Sequence, residues 1–114
     1  MSVSENLRRG SVELVLLALL NEQEMYGYQL VQEMGRRSDG EYTLTESTLY
    51  PVLYRLEDKK FISSRRQLIG KRRVRVYYRI EPAGKEYYSA IRQEYLTSMR
   101  GIMRILNESG WESK

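Results

Sequence analysis

The stretch "TESTLYPVLYRLEDKKFI", residues 45–62, combines the apolar period of a helix with an internal proline. Its large aliphatic residues recur at i, i+3, i+4 and i+7, which predicts a helix with one face in a core. They are Leu49, Val52, Leu53 and Leu56. The proline has to be reconciled with that helix before the opposite face can be interpreted.

The proline is compatible with the helix if it lies near the helix start. Thr45 or Ser47 can cap the N-terminus by accepting a hydrogen bond from a backbone N–H. With a start near Ser47, Pro51 falls in or at the end of the first turn, where its missing N–H costs little. The proline therefore predicts a beginning of the helix and not a break.

The opposite face of this helix is polar but weakly charged, whereas a surface helix usually carries Lys and Glu there. Its hydroxyl groups can bond phosphates or base edges, and its rings can touch a thymine methyl group. The residues of this face are Ser47, Pro51, Tyr54 and Asp58, flanked by Tyr50 and Arg55. For Tyr50 and Tyr54, partial packing in the core is a competing interpretation.

Composition limits the class of protein. The 114 residues are 41 % hydrophobic and 30 % charged, which is typical of one globular domain. Because there is no Cys and no His, disulfides, thiolate or imidazole metal sites, and triads or dyads that use His are impossible. No carboxylate pair stands out either. We therefore expect no enzyme activity, no metal and no cofactor.

The chain contains no candidate membrane span. Its longest apolar run is residues 14–20, seven residues, whereas a membrane helix needs about 20. The N-terminus does not have the pattern of a signal peptide. We predict a cytoplasmic protein with no membrane partner.

Positive charge is concentrated in one segment. Residues 59–80 hold nine Lys or Arg and no Asp or Glu, while the rest of the chain is acidic on balance. A concentrated basic segment indicates a polyanionic partner more strongly than the net charge of +4 does.

The remaining sequence predicts further helices and one hairpin. A strict apolar alternation marks the second strand, and a Gly-Lys-Arg turn precedes it. The predicted elements are helices over residues 11–21, about 24–37 and 82–109, and strands over residues 61–69 and 73–80. The fold class is mainly α with a small β-hairpin, a winged helix-turn-helix DNA-binding domain with a long C-terminal dimerisation helix. We assign residues 1–80 to the DNA-binding domain with a wing at 61–80, residues 81–110 to the C-terminal helix, and residues 111–114 to a tail.

The last helix is too long for its own domain. At 1.5 Å per residue it forms a rod of about 40 Å, which overhangs a small core. Its apolar stripe needs a partner surface, and a second copy of the chain supplies one. The stripe consists of Tyr88, Ile91, Tyr95, Met99, Ile102 and Leu106. The sequence therefore predicts a homodimer.

In a winged helix-turn-helix, the third helix enters the major groove of double-stranded DNA. The cations at the hairpin tip then serve as phosphate or minor-groove contacts. These cations are Lys71, Arg72, Arg73 and Arg75. A solvated basic surface is the competing interpretation of the hairpin.

A second aromatic group leaves two interpretations open. Tyr26-Gly27-Tyr28 lies at the start of the second helix, where the hydroxyl groups could clamp a phosphate. Equally, Gly27 could only permit close packing of helices.

The segments "GSVELVLLALL", "MYGYQLVQEM", "STLYPVLYRLEDKKFI" and "RRVRVYYRIEPAGKEYY" together resemble the PadR family of bacterial transcriptional regulators. The resemblance spans roughly residues 8–95. It implies a winged helix-turn-helix repressor that binds a palindromic operator as a homodimer through its C-terminal helix, with help from the first helix. The single C-terminal helix resembles the short members of the family.

Carried over by position, the resemblance implies a set of site residues. Recognition-helix contacts are Ser47, Thr48, Tyr50 and Arg55, with Tyr26 at the phosphate edge and Lys71–Arg73 at the wing tip. Leu14 and Leu17 add to the dimer interface. Some short members stack a planar effector on an aromatic residue of the C-terminal helix. Tyr95 matches that place, near Leu7 and Leu14, although ordinary dimer packing is the other interpretation of Tyr95.

Two further expectations accompany the resemblance. Lys60 replaces a common Gly before the first wing strand, so it is expected to adopt the left-handed conformation. The alternative function is a non-specific architectural DNA- or RNA-binding protein. Such a protein would bind with the same salt dependence but without preferring one duplex.

Overall fold

The chain is described by a computed structural model that covers residues 3–108. The predicted tail at 111–114, with Trp111, lies outside the described residues. The elements are α1 Val3–Glu22, β1 Met25–Tyr26, α2 Gly27–Arg37, α3 Glu46–Asp58, β2 Ile62–Ile69, β3 Arg73–Ile80 and α4 Pro82–Glu108. This mainly helical architecture with a small antiparallel sheet confirms the predicted fold class.

The core lies between α1, α2, α3 and the base of the sheet. The predicted stripe of α3 points into it, and all four aliphatic side chains are buried. The largest fully buried side chains are Leu16, Leu17, Met25, Leu30, Leu49, Leu53, Leu56 and Ile62. This packing fixes the opposite face of α3 toward solvent.

Helix α3 starts at Glu46, whereas the predicted start was near Ser47. Thr45 is the capping residue, and its hydroxyl accepts a hydrogen bond from the Thr48 N–H at 3.3 Å. The helix begins at Glu46, so Pro51 is its sixth residue and not part of the first turn. The proline therefore does remove an internal hydrogen bond, because the carbonyl of Ser47 has no i+4 donor.

The sheet contains a strand that the sequence pattern did not predict. The strand order is β1-β3-β2, and both pairings are antiparallel. Met25 lies opposite Tyr78 and Tyr26 opposite Tyr77. The helix predicted from about residue 24 therefore begins at Gly27, and β1 connects its start to the hairpin.

The hairpin formed by β2 and β3, residues 62–80, is called the wing below. Ile69 lies opposite Arg73, which leaves residues 70–72 as the loop, as predicted. Gly70 has a φ of +66°, a conformation that glycine adopts without strain. Lys60 has a φ of +64° immediately before the wing, which confirms the expected left-handed residue.

Helix α4 begins on the core and ends away from it. Gly84 in its first turn is buried, and a Cβ there would lie 2.0 Å from the carbonyl oxygen of Phe61. Tyr88 and Ile91 are half-buried, whereas every residue from 97 to 108 is exposed. The exposed apolar side chains are Met99, Ile102, Met103, Ile105 and Leu106.

Helix α1 shows the same division. Val3 and Leu7 are exposed by 82 % and 69 %, whereas Leu16, Leu17, Leu19 and Leu20 in its second half are buried. Leu14 is half-buried. Leu17 has 0 % exposure, so its assignment to the dimer interface is wrong: it packs inside one subunit and has no surface to offer a second copy. No described helix is long and apolar enough to cross a membrane.

Candidate nucleic-acid interface

The outer face of α3 is a continuous exposed surface. Ser47, Thr48 and Pro51 are exposed near its start, and Tyr54 and Arg55 follow one turn later. Tyr54 is 56 % exposed, which is high for an aromatic side chain. The face therefore presents hydroxyl groups, one ring and one cation to an approaching molecule.

The start of α3 gathers several hydroxyl groups. The Thr45 hydroxyl lies 3.0 Å from that of Ser47 and 3.1 Å from that of Thr48. All three side chains are exposed. Because the N-terminus of a helix carries partial positive charge, this group of hydroxyls and backbone N–H donors favours an anion such as a phosphate.

Tyr50 is divided between the core and the surface. Its ring is half-buried, stacks on Tyr54 at 6.0 Å, and burial raises the pKa of its phenol. A Cβ on Gly27 would lie 2.4 Å from the Tyr50 hydroxyl oxygen. This contact supports the packing interpretation of Gly27 and the partial core interpretation of Tyr50.

Arg55 is held by a residue of the first helix. Its Nε donates to Glu13 Oε2 at 3.4 Å, and the Tyr87 hydroxyl donates to Glu13 Oε1 at 2.7 Å. That second bond is the main reason why the pKa of Tyr87 is raised to about 12. One carboxylate thus connects α4, α1 and α3.

Three side chains of the wing and one of β1 form a row in which two stacked cations flank two tyrosine rings, called the Arg-Tyr ladder below. Arg75 lies over the Tyr26 ring at 4.3 Å, and Arg65 lies over the Tyr77 ring at 4.7 Å. The two tyrosine rings meet edge to face at 5.5 Å. Such contacts each contribute about 0.5–1 kcal/mol at exposed sites. The ladder therefore stiffens the joint between β1 and the wing.

The charge of Arg65, at one end of the ladder, is neutralised by a carboxylate. Arg65 makes a bidentate ion pair with Glu24, and the hydrogen bond from Arg65 lowers the pKa of that carboxyl. At the tip of the wing, Lys71, Arg72 and Arg73 are exposed on the loop and the start of β3. Positive charge on the wing is thus concentrated toward its tip.

The predicted DNA contacts fall on α3, on the wing and, for Tyr26, on β1. Ser47, Thr48, Tyr50, Tyr54 and Arg55 lie on α3, and Lys71, Arg72, Arg73 and Arg75 lie on the wing. Of the residues on different elements, Tyr26 and Arg75 are in direct contact. The predictions missed Glu13, Tyr87 and the Arg65–Tyr77 pair. For Glu13 a signal existed, because it is the single charged residue between Gly10 and Glu22.

The predicted effector residues Leu7, Leu14 and Tyr95 do not line the cavity at the start of α3. Leu7 is exposed, Leu14 is half-buried, and the Tyr95 hydroxyl donates to the backbone carbonyl of Gly10. A cavity of about 730 Å³ lies instead between the first half of α1 and the start of α3. Its lining is Glu5, Arg8, Arg9, Val12, Thr43, Leu44, Thr45, Thr48, Val52 and Arg55.

The sequence matches one protein-family model. The model describes the transcriptional regulator PadR-like family, and the match covers residues 16–90. A transcriptional regulator of Mycobacterium tuberculosis is 36 % identical over 78 residues, which cover 68 % of this chain and 69 % of that protein.

Solved structures have the same fold. A transcriptional regulator from Clostridium thermocellum is 33 % identical with a TM-score of 0.79, and the alignment covers 87 % of this chain and 96 % of that one. Bacillus subtilis PadR in complex with operator DNA is 24 % identical with a TM-score of 0.65. That alignment covers 69 % of this chain and 45 % of that one, so the likeness concerns the fold alone.

Proposed function

Because the chain belongs to the PadR-like family of transcriptional regulators, we propose that it represses transcription by binding a palindromic operator as a homodimer. A transcriptional regulator acts by binding and not by catalysis, so the chain is not an enzyme. We place it in the bacterial cytoplasm, where its target DNA lies.

The observation that carries the proposal is the presence of two exposed surfaces whose side chains suit different parts of a DNA duplex. The outer face of α3 offers hydroxyl groups, the Tyr54 ring and Arg55, which suit base edges. The wing tip offers Lys71, Arg72 and Arg73, which suit phosphates. In a winged helix-turn-helix these two surfaces face the same duplex, α3 in the major groove and the wing beside it.

A protein of the same fold lends support. Bacillus subtilis PadR was solved with operator DNA, so this arrangement of helices and wing is compatible with a bound duplex. For this chain we assign Tyr26, Ser47, Thr48, Tyr50, Tyr54 and Arg55 to the α3 side of the contact, and Lys71, Arg72, Arg73 and Arg75 to the wing side. Because Tyr50 is half-buried, we expect only its exposed edge to contact DNA.

The dimer part of the proposal rests on exposed apolar surface. Burial is worth about 25 cal/mol per Å² of apolar area, so a cluster of large exposed aliphatic side chains favours a partner surface. The proposed interface consists of Leu14, Tyr88, Ile91, Tyr95, Met99, Ile102 and Leu106. Val3 and Leu7 are exposed at the start of α1, so the first helix also presents apolar surface to a partner.

The effector part of the proposal concerns the same interface. We propose that a small aromatic or hydrophobic compound releases the repressor by binding near Tyr95, Leu7 and Leu14 at the junction of two copies. Tyr95 is half-buried and Leu7 is exposed in one chain, so ring and aliphatic surface remain for a ligand.

Selection from a pool of random duplexes tests the DNA part of the proposal. Purified protein should enrich duplexes with two inverted half-sites spaced one helical turn apart, which is the spacing a two-fold dimer imposes. Affinity for the enriched duplex should exceed affinity for a scrambled duplex of equal length by about 10³-fold or more. Enrichment of no motif, with salt-dependent binding of every duplex, would instead establish a non-specific architectural protein. An RNA competitor included in the selection tests the RNA version of that alternative.

A reporter assay tests repression itself. A promoter that carries the selected sequence should be silenced by the wild-type chain and released when the half-site spacing is changed by half a helical turn. Activation of that reporter would contradict the repressor role while leaving DNA binding intact.

A further inference from the structure

We propose that Glu13 is a positioning residue for DNA reading: it holds Arg55 in place on the recognition helix and is itself anchored to the C-terminal helix by Tyr87. The inference rests on the proposed function and goes beyond it, since Glu13 and Tyr87 belong to neither DNA-contacting surface.

The geometry of Arg55 favours this role over simple neutralisation. Glu13 contacts Nε of the guanidinium at 3.4 Å. A contact at Nε leaves the two terminal nitrogens for another partner, and these nitrogens form the bidentate pair that reads guanine or clamps a phosphate. Arg55 is exposed, so without Glu13 its long side chain would sample many rotamers. Glu13 therefore orients the side chain without occupying its recognition edge.

Glu13 can orient the Arg55 side chain because a second hydrogen bond fixes the position of its own carboxylate. Its side chain is only 23 % exposed, and its second oxygen accepts from the Tyr87 hydroxyl at 2.7 Å. Tyr87 in turn stacks on Phe61 with ring centres 4.4 Å apart. The carboxylate thus has one oxygen bonded to α4 and the other bonded to α3.

Two effects on DNA binding have opposite signs, which makes the role measurable. As a carboxylate beside a DNA-facing residue, Glu13 repels phosphates, so its neutralisation should strengthen binding to every duplex alike. As a positioning group, it favours the one sequence that the oriented Arg55 reads. Neutralisation should therefore weaken binding to the selected duplex relative to a scrambled duplex.

The substitution Glu13→Gln separates the two effects. In glutamine an NH₂ group replaces one of the two carboxylate oxygens, so one acceptor position becomes a donor, and any bond that remains to Arg55 loses the charge of the carboxylate. We expect the ratio of affinities for the selected and scrambled duplexes to fall by about tenfold, the size of a lost base contact. Glu33→Gln is the matched control, because Glu33 also binds arginines, but those are Arg36 and Arg37 of α2. That variant should keep the wild-type ratio.

The full experiment measures both affinities by fluorescence anisotropy for wild type, Glu13→Gln, Arg55→Ala and the double variant. Positioning predicts that Glu13→Gln lowers the ratio in the wild-type background and changes nothing further once Arg55 is alanine. An unchanged ratio, or equal shifts for both duplexes, would overturn the inference and leave Glu13 as a charge only. If Glu13→Gln does not fold, Tyr87→Phe gives the same test, with a smaller fall in the ratio expected.

The same data distinguish failure of the inference from failure of the proposed function. A wild-type chain that does not discriminate between the two duplexes refutes the function and the inference together. A wild-type chain that discriminates, with Arg55→Ala discriminating equally well, leaves the function standing and removes Glu13 from it.

Discussion

The guanidinium group of Arg75 lies 4.3 Å from the centre of the Tyr26 ring, so the wing is tied directly to the residue that precedes α2. Tyr26 is also in edge contact with Tyr77 on the same strand as Arg75. The ring of Tyr26 therefore has a structural role that is separate from any role of its hydroxyl in binding DNA.

Substitutions at Tyr26 separate these two roles. Tyr26→Phe keeps the ring over which Arg75 lies but removes the hydroxyl, so we expect unchanged thermal stability and DNA affinity lower by about tenfold, the effect of one hydrogen bond to a charged group. Tyr26→Leu removes the ring as well and should lower both quantities. Thermal melting monitored by circular dichroism and anisotropy titration measure them. If Tyr26→Phe binds DNA as well as wild type does, the hydroxyl is not a phosphate contact.

The wing tip gives a prediction about salt. Lys71→Ala and Arg72→Ala should each reduce the slope of log affinity against log salt concentration by about 0.9, because each replaced cation releases one counterion fewer. Both side chains are exposed at the loop, so folding stability should not change. The measurement is a set of anisotropy titrations at several salt concentrations.

Lys85→Ala is the control for the wing tip. It removes an exposed cation from the first turn of α4, away from the wing loop, and should leave the slope unchanged. Equal changes in slope for Lys85→Ala and Lys71→Ala would assign the effect to net charge and not to contacts of the wing.

Two glycines of α4 should respond to alanine in opposite directions. At Gly84 a Cβ would lie 2.0 Å from the backbone oxygen of Phe61, so Gly84→Ala must push α4 away from the wing base and lower the melting temperature. At Gly101 nothing lies within 4 Å, and alanine is favoured over glycine in a helix by about 1 kcal/mol. Gly101→Ala should therefore melt slightly higher than wild type. A Gly84→Ala variant as stable as wild type would contradict the close approach of α4 to residue 61.

The contact between Tyr87 and Glu13 predicts a dependence on pH. The hydrogen bond to Glu13 raises the pKa of Tyr87 to about 12, above the value of about 10 for an unfolded tyrosine. A raised pKa favours the neutral form in the folded state, so this contribution is present below about pH 10 and is lost as pH rises toward about 12.

Urea unfolding at several pH values across that window tests this dependence. Stability of the wild-type chain should fall more steeply with pH than that of Tyr87→Phe, which has no phenol to ionise at that position. Tyr28→Phe, which removes the hydroxyl of an exposed tyrosine on α2, should follow the wild-type slope. Parallel curves for wild type and Tyr87→Phe would mean that the bond to Glu13 does not persist in solution.

Much of the fold could be predicted from the sequence, because it depends on local signals. The aliphatic period of α3 and the strict alternation of β3 each follow from the identities of neighbouring residues, and the left-handed Lys60 was expected from the family resemblance. The strand β1 could not be predicted in this way. It has two residues, and its hydrogen bonds are made with Tyr77 and Tyr78, more than fifty positions later.

The candidate site, like the fold, was predictable from the sequence only in part. Exposed hydroxyl groups and cations on α3 and the wing were predictable from which residues lie opposite the apolar stripe. The contacts that hold them were not, because Glu13, Arg55 and Tyr87 are remote in sequence and meet only in the folded chain. Burial of Leu17 was missed for the same reason: an apolar helix does not reveal which of its sides meets its own core.

The exposed apolar end of α4 gives the last prediction, which concerns assembly. Ile102 is 55 % exposed on the stripe that we assign to the dimer interface. Ile102→Asp would place a carboxylate in that interface, where an unpaired buried charge costs several kcal/mol, so the variant should be a monomer. Thr97→Asp is the matched control, because Thr97 is exposed on the same helix but lies on the side opposite Tyr95 and Met99. Light scattering at micromolar concentration should give twice the chain mass of 13.5 kDa for wild type and Thr97→Asp, and the chain mass for Ile102→Asp.

Because a monomer engages one half-site only, Ile102→Asp should also lose most of its affinity for the two-fold duplex while keeping its affinity for a single half-site. A wild-type chain that scatters as a monomer would remove the dimer from the proposed function.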